Sequence, residues 1–205
     1  MPLTAAGDDH GLLQRLRAGD EQAFETLVAQ HDKALRRVAR AFVRTQAAAD
    51  EVVQETWLAM LKGLKDFEER SSLQTWLFRI LVNRARTRGK QEARNVPFSA
   101  LETEDNSPFD PGFGPDGRWR SAPARLDADP ESNLLSKELR GHLLEAVDAL
   151  APAQRAVITL RDIVGLPAED VCELLDVTDG NQRVLLHRAR AQVRAALVPL
   201  VGAPE

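Results

Sequence analysis

The sequence predicts an all-α protein built from two small helical domains that a long acidic linker joins. Tyrosine is absent and aromatic residues make up only 5% of the 205 residues, whereas Ala, Leu, Arg and Glu are abundant, a composition that favours helices over sheets. Apolar residues recur with helical spacing on both sides of the middle of the chain. A Pro-, Gly- and acid-containing segment separates these two helical parts, which predicts two domains.

The middle segment, residues 95–130, is predicted to be a flexible linker between a first domain, residues 1–94, and a second domain, residues 131–205. From Asn95 to Glu131, eight acids outnumber three bases. Basic stretches lie on both sides: residues 76–94 hold six bases and one acid, and residues 183–194 hold four bases and no acid. The net charge of −4 therefore hides two basic stretches that suit a nucleic-acid partner.

The first domain is predicted to be a small helical bundle. Gly19 is expected to end a short first helix, and Asp20 to cap the second. Ser71 is expected to open a later helix, with Gln74 completing a capping box, and this helix turns basic toward Arg94. The apolar residues at helical spacing, taken as core positions of the second, third and fourth helices, are Phe24, Leu27, Val28, Leu35, Val38 and Phe42; Val52, Val53, Trp57, Met60, Leu61 and Leu64; and Leu73, Trp76, Leu77, Ile80 and Leu81.

The second domain is predicted to contain a helix-turn-helix. Asp129 and Pro130 are placed to open its first helix, and a second helix runs from Pro152 to a stop at Gly165. Pro167 opens a short helix, and Thr178 is expected to cap a last, basic helix that ends near Leu197. Two helices joined by three or four residues, the second of them basic, are typical of DNA-binding proteins.

The last helix has two different faces. Leu185, Leu186, Ala189 and Val193 recur at core spacing, which leaves Arg183, Val184, His187 and Arg188 together on another face. Arginine pairs with guanine edges in the major groove, and Val184 is suited to contact a thymine methyl group. The alternative is an ordinary basic helix face in solvent.

Other classes of protein find no support in the sequence. The four histidines are scattered and Cys172 has no partner at ligand spacing, so we expect no metal site, and no motif for a cofactor or for catalysis is present. We therefore predict a protein that is not an enzyme. A single cysteine, a polar opening without a signal peptide and the lack of a long apolar run predict a cytoplasmic protein without membrane insertion.

Two sets of motifs resemble bacterial RNA polymerase sigma factors of the extracytoplasmic-function (ECF) group. Residues 50–57 (DEVVQETW), Phe67 and residues 71–86 resemble sigma region 2; residues 158–161 (ITLR) and 186–190 (LHRAR) resemble region 4. The resemblance implies that the protein binds the β′ clamp helices and the β flap of core RNA polymerase. It further implies that the protein directs the enzyme to promoters of a stress-related or envelope-related regulon and helps to open the minus-10 DNA. Members of the group are commonly held inactive by an anti-sigma factor, and the alternative for this chain is that the long linker serves as an internal brake.

The resemblance also assigns roles to individual positions. Glu51, Gln54 and Glu55 match residues that hold the clamp helices, with Val53 and Trp57 expected to pack beneath them. The positions that match the minus-10 surface are Ser71, Ser72, Thr75, Trp76, Arg79, Asn83, Arg84 and Arg86; Asn83 matches a position beside the pocket for a flipped-out base, and Trp76 either stacks on melted DNA or belongs to the core. The positions that match the minus-35 surface are Asn181, Arg183, Val184, His187, Arg188 and Arg190.

The chain departs from the family pattern at several positions. Glu68 and Glu69 stand where arginine and glycine are common, and Asn181, Gln182 and Leu185 stand where threonine, valine and arginine are usual. The promoter sequence therefore does not transfer from relatives. A second interpretation, a free-standing helix-turn-helix regulator, stays open at this point; such a protein binds duplex DNA without polymerase, whereas a sigma factor acts through core polymerase.

Overall fold

The computed structural model describes the backbone of residues 6–92 and 130–201, and the side chains of residues 11–92 and 139–198. Every regular element in these two ranges is helical, which confirms the all-α prediction. Residues 95–129 of the predicted linker lie outside the described residues, as does Asp129, the expected cap of the helix at Pro130. None of the described helices has the length and apolar character needed to cross a bilayer.

Four α-helices lie within the described residues 6–92, as the sequence predicts. Gly19, at a φ of +80°, ends the first helix, and the Asp20 side chain accepts a hydrogen bond from the Ala23 amide at 3.1 Å to cap the second. Left-handed backbone of this kind favours glycine, and such a cap satisfies an otherwise unpaired amide. The elements are α1 (Ala6–Arg17), α2 (Glu21–Ala39), α3 (Gln46–Gly63), a 3₁₀ turn (Leu64–Asp66) and α4 (Leu73–Gln91).

The start of α4 differs from the prediction by one residue. Ser72 is the N-cap, since its Oγ accepts a hydrogen bond from the Thr75 amide at 3.0 Å. The predicted capping box of Ser71 with Gln74 is wrong. The reason is a long-range contact: the Gln74 side chain donates to the Val164 carbonyl at 3.0 Å, in the second half of the chain, and so does not reach back to the helix start.

The apolar residues predicted to form the core of the first half are buried or partly buried in the structure, with one exception. Val52, Val53, Trp57 and Met60 are buried on α3, but Leu61, predicted as a core residue, is 44% exposed. Successive residues are about 100° apart around a helix. Met60 is at the edge of the buried side of α3, so Leu61, the next residue, already lies on the exposed side. The α3 core is therefore narrower than the sequence pattern suggests.

Gly89 allows α4 to pack closely on the turn that follows α2. A Cβ atom at this buried position would overlap the carbonyl oxygen of Phe42. That turn begins directly after Ala39, where α2 ends, so Phe42 lies outside the helix to which its spacing assigned it. The absence of a side chain at position 89 thus sets the distance between the two elements.

The second half forms the predicted helix-turn-helix. Pro152 opens α6, a π-helical turn follows directly, and Gly165, at a φ of +86°, ends it. Between the last two helices Asp176 adopts a left-handed φ of +57°, and Thr178 Oγ1 accepts a hydrogen bond from the Asn181 amide at 3.2 Å. The elements are α5 (Pro130–Ala149), α6 (Pro152–Ile158), the π-helical turn (Thr159–Val164), α7 (Ala168–Leu175) and α8 (Asp179–Val201).

The two halves contact each other in this structure. Helix α2 packs against α6 and the π-helical turn, and α4 packs against α7. Arg37 Nε lies 2.7 Å from an Asp148 carboxylate oxygen, and Arg155 donates to the Arg40 carbonyl at 3.1 Å. The buried apolar residues of both halves belong to one contiguous cluster.

Candidate nucleic-acid interface

Helix α3 presents an acidic surface. Glu51, Gln54 and Glu55 are all exposed, while Val53 and Trp57 are buried beneath them as the resemblance implies. Residues at positions i, i+3, i+4 and i+7 share one side of a helix. Leu58, which is 58% exposed, therefore continues the same surface, which combines acidic, amide and apolar groups.

Polar contacts to α2 hold α3 in place. Arg36 of α2 pairs with Asp50 at the start of α3 and with Asp32 at 2.7 Å on its own helix. The hydrogen bond from Arg36 to Asp32 raises the pKa of the guanidinium further above its ordinary value. The Trp57 indole donates to Asp32 at 3.5 Å, so the α3 residue beneath the acidic surface is itself anchored to α2.

Two ion pairs join the acidic surface of α3 to α4. Arg84 Nη1 lies 3.0 Å from a Glu55 carboxylate oxygen, and Arg88 Nη2 lies 2.5 Å from a Glu51 oxygen. Both pairs are partly exposed, and ion pairs of this kind contribute little to stability, about 0–1 kcal/mol each. Their effect is to orient the two carboxylates and two guanidinium groups at the shared edge of the helices.

The start of α4 is covered rather than open. Thr75 is 1% exposed, and its hydroxyl donates to a carboxylate oxygen of Asp170 at 2.7 Å. Arg79, one turn later, lies with Nη2 2.8 Å from a carboxylate oxygen of Glu173. Of the predicted minus-10 positions, the structure therefore brings these two together against α7, in the other half of the chain.

Trp76 packs with Phe67 at the edge of the core. The two rings are stacked with centroids 4.6 Å apart and planes 27° apart. Trp76 is partly buried and packs against the apolar cluster, which agrees with the core alternative for this residue. One face of its indole is covered by Phe67.

The middle of α4 borders a cleft of about 460 Å³. Asn83 is exposed on its wall, together with Ile80, Arg84 and Thr87 of the same helix and Glu55 of α3. Arg86 lies on another side of α4, with its guanidinium 6.0 Å from the centre of the Phe42 ring. Amide and guanidinium groups beside an open cleft can hydrogen-bond to a base edge or a phosphate.

Helix α8 presents the second predicted DNA surface. Leu185, Leu186, Ala189 and Val193 are buried, which confirms the predicted core side of the helix. The predicted contact residues have different surroundings. Arg183 and Val184 are exposed, Asn181, His187 and Arg188 are half-buried, and the Arg183 side chain, 75% exposed, lies 2.8 Å from Asp179 on the preceding turn.

Arg190 is held inside the helix-turn-helix half. Its guanidinium donates from Nε and Nη2 to the two carboxylate oxygens of Asp162, at 2.8 and 2.7 Å, and its side chain is only 18% exposed. A bidentate arginine–carboxylate pair is geometrically specific. A phosphate contact at Arg190 therefore competes with Asp162.

Sequence reasoning did not identify four residues beside these surfaces. Leu58 and Leu61 are exposed on α3, and their spacing from Gln54 and Glu55 was the available indication. Asp170 and Glu173 contact the predicted DNA-binding side chains of α4, 95 and 94 residues away in the chain, and no local pattern indicates such a contact.

Two titratable groups away from these surfaces have shifted pKa values. Burial lowers the pKa of His31, whose ring meets the Phe78 ring edge to face at 6.2 Å. Burial also raises the pKa of the Cys172 thiol, and the nearby Asp179 carboxylate acts in the same direction. In the ranges whose side chains are described, no group of three His, Cys, Asp or Glu residues is placed to hold a metal ion.

Comparison with known proteins finds similarity to sigma factors in both halves of the chain. The family model for sigma-70 region 2 matches residues 27–95, and that for sigma-70 region 4 matches residues 140–193. The ECF RNA polymerase sigma-E factor of Haemophilus influenzae is 29% identical over 194 residues, 94% of this chain and 97% of the relative. The corresponding factor of Escherichia coli K12 is 29% identical over 193 residues, 94% of this chain and 96% of the relative.

A solved structure has the same fold. The sigma factor RpoE of Bartonella quintana, in complex with the anti-sigma factor NepR, matches with a TM-score of 0.50 and 21% identity, over 85% of this chain and 96% of that chain. A helical bundle with these exposed surfaces, followed by a helix-turn-helix, defines a DNA-binding protein of transcription initiation. The chain belongs to the sigma-70 family of RNA polymerase sigma factors, within its ECF group.

Proposed function

We propose that this sigma factor holds core RNA polymerase through the exposed side of α3, reads and helps to open the minus-10 DNA through α4, and reads the minus-35 element through α8. The observation that carries the proposal is the presence of both sigma regions, in family order, in one chain. The protein acts in the cytoplasm as a specificity subunit, and the polymerase supplies the catalysis.

The geometry of α3 and α4 supports the first two roles. The exposed Glu51, Gln54 and Glu55 lie beside apolar Leu58, a combination that suits a protein partner better than DNA, since carboxylates repel phosphate. Asn83 lies at a cleft, where an extruded base can be held. Flipping a base costs a few kcal/mol of unstacking energy, which contacts to the base and the neighbouring phosphates must offset.

The geometry of α8 supports the third role. The helix follows a three-residue turn and exposes Arg183 and Val184 in its first two turns. Recognition helices usually present their N-terminal residues to base edges. Arg183 is therefore our candidate for reading a guanine in the minus-35 element.

The alternative of a free-standing regulator is not favoured, because region 2 and its α3 surface have no role in such a protein. In vitro transcription with core polymerase over a genomic library tests the proposal. We expect transcripts that start at a defined set of promoters only when the chain is added. Tight and specific duplex binding by the chain alone, with no promoter-dependent transcript, would instead identify a regulator.

An anti-sigma partner is a further part of the proposal and rests on family membership alone. Such a partner is expected to cover the α3 surface and to leave when the inducing signal arrives. Co-purification from native cells, before and after envelope stress, tests this point. The absence of any stoichiometric partner under both conditions would contradict it.

A further inference from the structure

Arg17, the last residue of α1, binds the segment that leads from α3 into α4. We call this segment, residues 64–72, the α3–α4 connection. The guanidinium donates from Nε to the Leu64 carbonyl at 3.3 Å and from Nη2 to the Phe67 carbonyl. Its Nη1 donates to a Glu69 carboxylate oxygen at 3.0 Å. Because the guanidinium is planar and its N–H groups form a rigid fork, one side chain fixes these three acceptors relative to one another.

The backbone of Glu69 has a left-handed conformation, with a φ of +58°. A residue with a Cβ atom rarely adopts this conformation unless its surroundings hold it there. Arg17 supplies two such contacts, since it binds the Phe67 carbonyl, two residues earlier, and the Glu69 carboxylate itself. Glycine adopts this conformation readily and would not need these contacts. The glutamate at position 69 therefore makes the path of the connection depend on Arg17.

The same contact changes the charge that the connection presents. Glu68 and Glu69 are both exposed, and unpaired carboxylates repel the phosphates of DNA. The Glu69 carboxylate is paired with Arg17, and the Glu68 carboxylate with Arg70. A paired carboxylate repels a phosphate less than an unpaired one does, because the neighbouring positive charge offsets it. The connection can therefore lie close to DNA although it contains these two acids.

The connection is continuous with the proposed minus-10 surface. Ser71 and Ser72 are its last two residues, and both match that surface. Phe67 covers one face of the indole of Trp76, a third matching residue, with the ring centroids 4.6 Å apart. Binding groups have to be held to within about 0.5 Å of their productive positions. A shift of the connection would therefore move several groups of the minus-10 surface at once.

We infer that Arg17 is a positioning residue for minus-10 recognition: it holds the α3–α4 connection in one conformation and neutralises Glu69. The family resemblance assigns no role to Arg17, which acts through the connection rather than by binding DNA. The inference rests on the proposed function, because it concerns the same minus-10 surface.

The first test compares promoter recognition by full-length variants bound to core polymerase. On a promoter from the genomic library, we expect Arg17→Ala to weaken open-complex formation about tenfold, the factor that corresponds to loss of one charged hydrogen bond. Differences between single-base variants of the minus-10 element should shrink, whereas those between minus-35 variants should stay. The affinity for core polymerase should also stay, which a general loss of folded protein would not allow.

Arg15→Ala is the matched control for this experiment. It removes the same charge from the same helix and breaks an ion pair with Asp20, at 2.8 Å, instead of the contacts to the connection. Because exposed ion pairs contribute little, we expect this control to stay within about twofold of the parent on every promoter variant.

A second substitution separates positioning from general destabilisation. Glu69→Gly removes the carboxylate and allows the left-handed backbone without strain. We therefore expect Arg17→Ala/Glu69→Gly to return to within about threefold of the parent and to regain its discrimination between minus-10 bases. The matched control Arg17→Ala/Glu68→Gly removes an equal charge from the neighbouring residue, which Arg17 does not bind, and should restore neither property.

A third test examines the connection without DNA or polymerase. Trp57→Phe and Trp119→Phe leave Trp76 as the single tryptophan of the chain, so its fluorescence reports on the ring that Phe67 covers. In this background we expect Arg17→Ala to increase quenching by acrylamide, because Phe67 is no longer held, and Arg15→Ala to leave it unchanged. Circular dichroism checks that helix content is equal in all of the variants.

Three outcomes would overturn the inference. These are an unchanged minus-10 profile in Arg17→Ala, unchanged quenching of Trp76, and equal rescue by Glu68→Gly, which would show an effect of charge alone. The two proposals fail separately. Absence of promoter-dependent transcription with the parent protein contradicts the function, whereas the quenching measurement needs no polymerase and tests the role of Arg17 in the connection.

Discussion

The guanidinium of Arg84 lies 3.0 Å from the carboxylate of Glu55, so one ion pair joins the proposed polymerase surface of α3 to the proposed DNA surface of α4. The same residue pair lines the cleft beside Asn83. A partner that binds Glu55 on one side therefore changes the position of Arg84, a group of the proposed DNA surface, on the other. This relationship decides how substitutions on α3 have to be interpreted.

Charge reversal at Glu55 is expected to weaken polymerase binding. Glu55→Lys removes a carboxylate from the α3 surface and repels Arg84, and we expect affinity for core polymerase to fall about tenfold or more, as is common for central interface residues. Pull-down or fluorescence titration with core polymerase measures this. Glu25→Lys, an exposed reversal on α2, is the matched control, and equal helix content by circular dichroism excludes unfolding. Undiminished binding by Glu55→Lys would show that the surface is assigned wrongly.

Arg183 and Arg190 are expected to act differently on promoters. Arg183→Ala removes a bidentate guanine contact, so we expect a loss of about 1–3 kcal/mol that is confined to one position of the minus-35 element. Arg190→Ala is expected to weaken all promoters by a similar factor and to lower the salt dependence by about one unit. A panel of single-base promoter variants at two salt concentrations separates the two effects.

The pair of Arg190 with Asp162 adds a control to that experiment. Asp162→Asn breaks the same pair but keeps the arginine, so a loss of DNA binding in Arg190→Ala alone would show a phosphate contact. Equal losses in both variants would show that the pair is only structural. If Arg183→Ala weakens every promoter equally, Asn181 or His187 becomes the better candidate for base reading.

Gly89→Ala is expected to destabilise the protein. The added methyl group meets the Phe42 carbonyl in a buried position, and overpacking of this kind costs about 1–3 kcal/mol. Gly141 on α5 has open space around it, so Gly141→Ala should instead stabilise its helix by about 0.5–1 kcal/mol. Urea unfolding of both variants measures the difference. Equal stability of the two variants would mean that α4 and the turn after α2 are not in close contact in solution.

The protein is expected to become less stable as the pH is lowered, because of His31. Burial holds its pKa below the ordinary value of 6.5, so the unfolded chain takes up a proton at a higher pH than the folded chain does. The contribution of neutral His31 is therefore complete above about pH 6.5 and is lost as the pH falls toward the lower folded-state value. Melting temperatures of the parent and His31→Leu at several pH values measure this. We expect the variant, but not the exposed-residue control His142→Gln, to show a smaller loss on acidification.

Local sequence patterns predicted the helices and most caps because those features depend on nearby residues. Asp20 and Thr178 cap the next helix with atoms only three residues away, and both predictions are confirmed. Ser71 failed as a cap because the Ser72 hydroxyl caps α4 instead, and its capping box failed because Gln74 bonds to a residue 90 positions distant. The prediction that Leu61 is a core residue is wrong because the helical period of apolar residues does not show how wide the buried side of a helix is.

The candidate surfaces were predicted less completely than the fold. The resemblance named Thr75 and Arg79, but their neighbours Asp170 and Glu173 come from the opposite end of the chain. The spacing of residues within one helix does not indicate which distant residues that helix contacts. Burial of Thr75 follows from the packing of two halves and becomes visible only in three dimensions.

The contiguous apolar cluster that runs through both halves has a thermodynamic consequence for holoenzyme assembly. Separating the halves transfers the apolar area between α2 and the π-helical turn into water, at a cost of roughly 25 cal/mol for each Å². A polymerase that binds only the separated halves must supply this free energy by covering the same area or by binding elsewhere. The measured affinity for core polymerase is then the intrinsic affinity reduced by the fraction of open molecules. A variant that opens more easily should therefore bind polymerase more tightly while melting at a lower temperature.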